Sequence, residues 1–360
     1  MNYFKTFVLL SLSLSLFITH TTTAMASSTL TSCSASSLPL PNGKSMPLLG
    51  LGCWKMEDAK QMVSLALQNG WRHIDSACDY GNEVEVGEGI SEGLKAANLS
   101  REDIFVTSKL WNTYHSPEHV EAACRRTLKD LNLDYLDLYL IHFPIPLKFV
   151  PFETRYPPEW IHDPSSATEN TMVPDPNCPT IQQTWAAMEN LVEKGLVKNI
   201  GVANFNAALL LQLLQTAKIK PAVNQIELHP RLQQSRLVSF CQSRGIQVTG
   251  FSPLGSTGYV QIGMDRGEGV GLLENPDILS IASKHSKSPA QVLLGWGTQR
   301  NIAVIPKCSS LNRLKENLDV LDFKLDEEDM EKIAALDRNL RYNDPGVFCK
   351  GMGGDYPIWD

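Results

Sequence analysis

From Leu38 to the carboxyl end, short apolar runs alternate with stretches whose apolar residues recur every three or four positions. The runs fall at 50–54, 73–77, 104–109, 136–142, 200–203, 223–227, 247–252 and 303–306. Helical patterns separate them at 59–69, 83–96, 117–131, 181–193, 207–214, 236–244 and 289–299. Strands that are apolar throughout and joined by helices must be covered on both faces, which predicts a parallel sheet. Eight of them without interruption predict an α/β fold of the (β/α)8 TIM-barrel type. No G-x-G-x-x-G follows any run, so a doubly wound dinucleotide fold is not expected. Asn42-Gly43 between the pieces 38–40 and 46–49 predicts a β-hairpin forming a small lid under the barrel.

Ahead of the barrel the chain has another character. Lys5, the apolar run 7–18 and Ala24-Met25-Ala26 read as a secretory signal over 1–26, too short to span a bilayer. Residues 27–37 read as a disordered Ser/Thr-rich linker, and 38–360 as the barrel domain. The signal predicts entry to the secretory pathway and endoplasmic reticulum; a start at Met25 would instead leave the product cytoplasmic. A net charge of −7 without a basic block gives no footprint for nucleic acid, so small molecules are the expected partners. The eight cysteines are scattered and lack C-x-x-C, which predicts free thiols. A monomer or a homodimer fits the sequence.

Three of the strand runs end in ionisable residues: Asp75, Lys109 and His142, with Tyr80 five residues beyond Asp75. A parallel barrel points its carboxyl strand ends at one face, so these groups are expected to converge. A phenol is a poor proton donor at neutral pH unless a cation favours its anion, and Lys109 is placed to do this. Asp75 would hold that ammonium charged, and His142 would orient a substrate oxygen. Together they could polarise and protonate a carbonyl. Taken singly, each reads more readily as a structural ion pair or core packing, and it is the four at matching strand ends that point to a site.

The sequences GLGCWK (50–55), DSACDY (75–80), TSKLW (107–111), LIH (140–142), GVANF (201–205), NQIELHP (224–230) and IPK (305–307) resemble the aldo-keto reductase superfamily, in the family's order and over nearly all of the chain after 38. The resemblance implies a barrel with a carboxyl-terminal substrate loop. It also implies reduction of aldehydes or ketones with NADPH, without a metal, and a catalytic tetrad of Asp75, Tyr80, Lys109 and His142 with Tyr80 as the acid. It places Asn204 and Gln225 on the nicotinamide carboxamide, Phe251 against the ring, and Ser252, Leu254 and Ser256 around the pyrophosphate. Lys307, Ser309 and Arg313 fall at the 2′-phosphate, with Glu316 and Asn317 near the adenine.

The loop 141–160 and the segment 339–345 are similar to the xylose-reducing, aldose reductase branch. This implies an aldose substrate and a pocket of Trp54, Trp111, His142 and Asn343, with Phe143 and Trp160 as further candidates. Ala203, Cys308 and Ser309 depart from the usual Ser, Ser and Asn. Those departures weaken the cofactor contacts and leave NADH as an alternative to NADPH. The tail 346–360 also departs, so the resemblance is least specific about substrate. A sugar-phosphate or general aldehyde reductase is one alternative, with Lys148 or Arg155 as the phosphate cation. A NADPH-binding regulatory subunit with incidental activity is the other.

Overall fold

The computed structural model describes residues 36–255, 257–260 and 270–359. The signal-like segment, nearly all of the linker and Ser256 therefore lie outside the described residues. Strands β1 (Ser37–Pro39) and β2 (Ser45–Pro47) pair antiparallel with Leu38 opposite Met46. Gly43, with a φ of +80°, makes the turn that a side chain would resist, and the Asn42 carboxamide accepts from the Lys44 amide at 3.0 Å. Met46 is fully buried among Phe105, Leu138, Leu140 and Val223, so the hairpin plugs one end of the barrel.

Eight strands follow in parallel: β3 (Leu51–Gly52), β4 (His73–Asp75), β5 (Phe105–Leu110), β6 (Leu138–Ile141), β7 (Ile200–Ala203), β8 (Val223–Glu227), β9 (Gln247–Phe251) and β10 (Ile302–Val304). Each pairs with its sequence neighbours. The ring closes where Leu49 bridges Val304 and the Gly50 amide donates to the Val304 carbonyl at 2.9 Å. This is the (β/α)8 barrel that the strand–helix alternation predicts. Its interior leaves no room at Gly201, where a Cβ would stand 2.6 Å from the Val223 carbonyl oxygen and 2.7 Å from a Leu140 methyl.

Helices fill the intervals. Pro117–Leu131, Ile181–Glu193, Ala207–Leu214 and Pro289–Gln299 occupy the expected ranges. Helices Pro276–His285, Leu311–Leu318 and Glu327–Ala334 were not among those expected. Strand β3 is two residues long rather than five, because beyond Gly52 the chain turns: the Cys53 carbonyl accepts from the Asn82 side chain at 2.9 Å. The long loop after β6 is tied to the carboxyl-terminal tail, where the Met352 carbonyl accepts from the Met172 amide at 2.9 Å and the Thr171 hydroxyl at 2.7 Å. No described helix is long and apolar enough to cross a membrane.

Candidate active site

At the carboxyl ends of β4 and β5, Lys109 Nζ donates to Asp75 Oδ1 at 2.7 Å, to the Ser76 carbonyl at 2.8 Å and to Tyr80 Oη at 3.0 Å. The side chains of Lys109 and Asp75 are 0% and 1% exposed, so removing either would leave a buried charge without compensation. Burial works to strip the Lys109 proton, but Asp75 and Tyr80 outweigh it and hold the ammonium above its ordinary value. The phenol behaves differently from the expectation that the lysine acidifies it. Burial pushes Tyr80 up to about 12, against the opposing pull of Lys109. Tyr80 therefore stays protonated at neutral pH with its proton available to a neighbour, and the ammonium is in place to stabilise the anion left behind.

His142, just past β6, has its ring centroid 5.9 Å from that of Tyr80. Burial, then the charge of Lys109, hold its imidazole well below the ordinary histidine value, so the ring is neutral. Its Nδ1 is buried with no partner. The Trp111 ring stands 5.2 Å from His142 and 4.9 Å from Trp160, and its indole nitrogen donates to the Glu159 carbonyl at 3.0 Å. Phe143 lies 5.1 Å from Trp160, and Phe348 of the tail lies 5.2 Å from it. Trp54 contributes a half-buried ring 5.6 Å from Tyr259, whose hydroxyl also bonds the Asn343 side chain. The expected aromatic wall and polar tetrad therefore border one region.

The residues expected at the cofactor divide into two groups. Near the tetrad, the Asn204 carboxamide donates to the His142 carbonyl at 2.8 Å, and its Oδ1 is buried without a partner. Gln225 donates to Asp75 Oδ2 at 2.7 Å, which links it directly to the tetrad. Phe251 and Leu254 are half-buried, and the Ser252 hydroxyl lies 3.0 Å from Tyr259 Oη. Farther along, Lys307 Nζ donates to the Lys55 carbonyl at 2.8 Å, and Arg313 donates to the Ser309 hydroxyl at 3.1 Å. Arg313 is on the first turn of the helix Leu311–Leu318. Glu316 is half-buried, and Asn317 turns its amide nitrogen to Cys308 Sγ at 3.2 Å.

Two residues escaped the sequence reading. The Lys55 ammonium lies over the Trp54 ring at 4.6 Å, and burial, then Lys307, push it below the ordinary value. Neither Lys55 nor Lys307 has a carboxylate partner among the described residues. Asp79, beside Tyr80, is pushed up to about 7 by burial and then by Glu159. Its position in the DSACDY turn was visible, but Glu159, which raises it, comes from a distant loop. An orphaned carboxamide oxygen at one end and unpaired cations at the other fit a phosphorylated nucleotide with an amide head group.

Barrel and site together define an enzyme that gathers its chemistry at the carboxyl strand ends. The profile of the Aldo/keto reductase family matches residues 48–338, and this chain belongs to that family. It is 50% identical over 312 residues to an NAD(P)H-dependent D-xylose reductase of Pachysolen tannophilus, covering 86% of this chain and 96% of that protein. It is 46% identical over 320 residues to a 4-dihydromethyl-trisporate dehydrogenase of Mucor mucedo, covering 88% and 97%. The aldose reductase structure from Schistosoma japonicum superposes with a TM-score of 0.77 at 40% identity, covering 89% of this chain and 97% of that one.

Proposed function

We propose that this protein is an NAD(P)H-dependent aldose reductase, converting the open-chain aldehyde of a xylose-like sugar to its alditol. The observation that carries the reading is the Lys109 ammonium bonded at once to Asp75 and Tyr80. The nicotinamide, when bound, supplies hydride from C4 to the carbonyl carbon. His142, neutral, orients the carbonyl oxygen, and Tyr80 donates its proton there while Lys109 steadies the phenolate. Asp75 and Gln225 hold Lys109 in line through Oδ1 and Oδ2 of one carboxylate.

Asn204 and Gln225 would hold the carboxamide, and Phe251 would pack against the ring. Ser252, Leu254 and Ser256 would line the pyrophosphate. Lys307, Ser309 and Arg313 would hold the 2′-phosphate, with Glu316 and Asn317 near the adenine and Lys55 as a third cation. That charge favours NADPH, while Cys308 and Ser309 thin the donors enough to leave NADH usable.

Trp54, Trp111, His142 and Asn343 would form the substrate pocket, the rings as wall and the amide on a sugar hydroxyl. The names of the xylose reductases similar to it support a pentose. The cations considered for a sugar phosphate are engaged elsewhere: Lys148 pairs with Glu169 at 2.9 Å, and Arg155 donates to the carbonyls of Pro158, Ile161 and His162. Turnover with NADPH on D-xylose, mannose 6-phosphate and glyceraldehyde tests the assignment. Xylose is expected to exceed the phosphate ester in kcat/KM, and xylose as the poorest of the three would overturn it.

A further inference from the structure

Glu227 ends β8 with a carboxylate that is fully buried and makes no hydrogen bond to Asp75, Lys109 or Tyr80. Burying a carboxylate is costly, and an apolar side chain would serve packing alone better. The Glu227 oxygens instead meet donors from a distant segment. Its Oε1 accepts from the Tyr342 amide at 2.9 Å and from His229 Nε2 at 2.9 Å, and its Oε2 accepts from the Asn343 amide at 2.8 Å. Both oxygens thus grip two consecutive peptide units of a segment 115 residues away in sequence.

We propose that Glu227 is the positioning residue that aims the Asn343 side chain at the substrate, and so sets the preference for hydroxylated over plain aldehydes. The inference rests on the aldose-reductase reading of Asn343 given above. A side chain points where its own backbone directs it, and here the backbone is fixed at the Asn343 nitrogen by a charge-assisted bond. The same grip places Tyr342, whose ring stacks on Tyr259 at 5.6 Å and 12°. Tyr259 in turn touches Trp54 on the substrate wall and Ser252 on the cofactor side. Net of its burial, Glu227 is held below the ordinary glutamate value by its His229 partner, so it remains an acceptor.

The segment is also seated by bonds that do not involve this carboxylate. The amides of Arg338 and Leu340 donate to the Arg231 carbonyl at 3.1 and 3.0 Å. Loss of the Glu227 grip should therefore loosen the aim of Asn343 rather than release the tail. A change in aim acts on substrates that offer a hydroxyl to the amide and spares those that do not.

The test is Glu227→Gln in the full chain with NADPH, measuring kcat and KM for D-xylose and for butanal, which carries no hydroxyl. The amide keeps the volume but turns an NH2 toward one of the donors. The KM for xylose is expected to rise about tenfold, with a much smaller change for butanal and for kcat. Equal changes for both aldehydes, or none for xylose, would overturn the proposal. Asn343→Ala separates this from the reading beneath it: if that variant also treats the two aldehydes alike, the substrate role of Asn343 fails. If it discriminates while Glu227→Gln does not, only the anchor fails. In the double variant the two effects should not add. Should Glu227→Gln not fold, Glu227→Asp, which keeps the charge but shortens its reach, must show the same split between aldehydes.

Discussion

Glu83 and Asp75 flank Tyr80 in sequence and are both buried, but their partners differ in kind. Asp75 meets an ammonium, whereas among the described residues Glu83 hydrogen-bonds the hydroxyls of Ser108 at 2.6 Å and Thr127 at 3.1 Å. Burial then pushes Glu83 from its ordinary 4.5 up to about 7. Between those values the folded protein holds a proton that the unfolded chain has lost. Its contribution to stability is complete below the lower value and declines as pH rises through the upper one. Glu83→Gln cannot ionise, so the variant should gain about 2 kcal/mol over the parent at pH 8 relative to pH 5 in denaturant unfolding. An equal difference at both pH values would contradict this. The residues of the tetrad were legible in the sequence because strand ends announce themselves. The raised Tyr80 phenol was not, since burial depends on how loops far along the chain cover the site.

At the scale of elements, boundaries were clearest where the caps are local. Thr180 and Ser288 each form a capping box with the Gln three residues on, and Pro289 starts its helix, so Ile181–Glu193 and Pro289–Gln299 fall where the pattern puts them. The same signals precede the longer helices that went unexpected. Asn275 caps Pro276–His285, Ser310 caps Leu311–Leu318, and Asp326 and Asp329 box the start of Glu327–Ala334, so local signals mark these starts as well. The grip of Glu227 on Tyr342 and Asn343 left no local trace, because its partners lie on another element. The loop between β10 and the helix Leu311–Leu318 carries Lys307, exposed and without a carboxylate among the described residues. Lys307→Ala should raise the dissociation constant for NADPH about tenfold and that for NADH far less, as read by fluorescence titration. Equal losses would show that Lys307 does not meet the 2′-phosphate.

At the scale of the molecule, the barrel brings Asp75, Tyr80, Lys109 and His142 from three strand ends to one place, and the hairpin closes the opposite end. That architecture was legible because eight apolar runs of strand length leave few other ways to be covered. We propose that residues 1–26 direct the chain to the secretory route and are removed, so amino-terminal sequencing of the mature protein should begin at Ser27. A sequence beginning at Met25 or Ala26 would point instead to the shorter cytoplasmic product. The central claim is proton donation by Tyr80 with Lys109 behind it. Tyr80→Phe keeps the ring and removes only the donor, so steady-state reduction of D-xylose should fall by about 10² to 10⁴ while the dissociation constant for NADPH stays near that of the parent. Activity close to the parent in that variant would contradict the account.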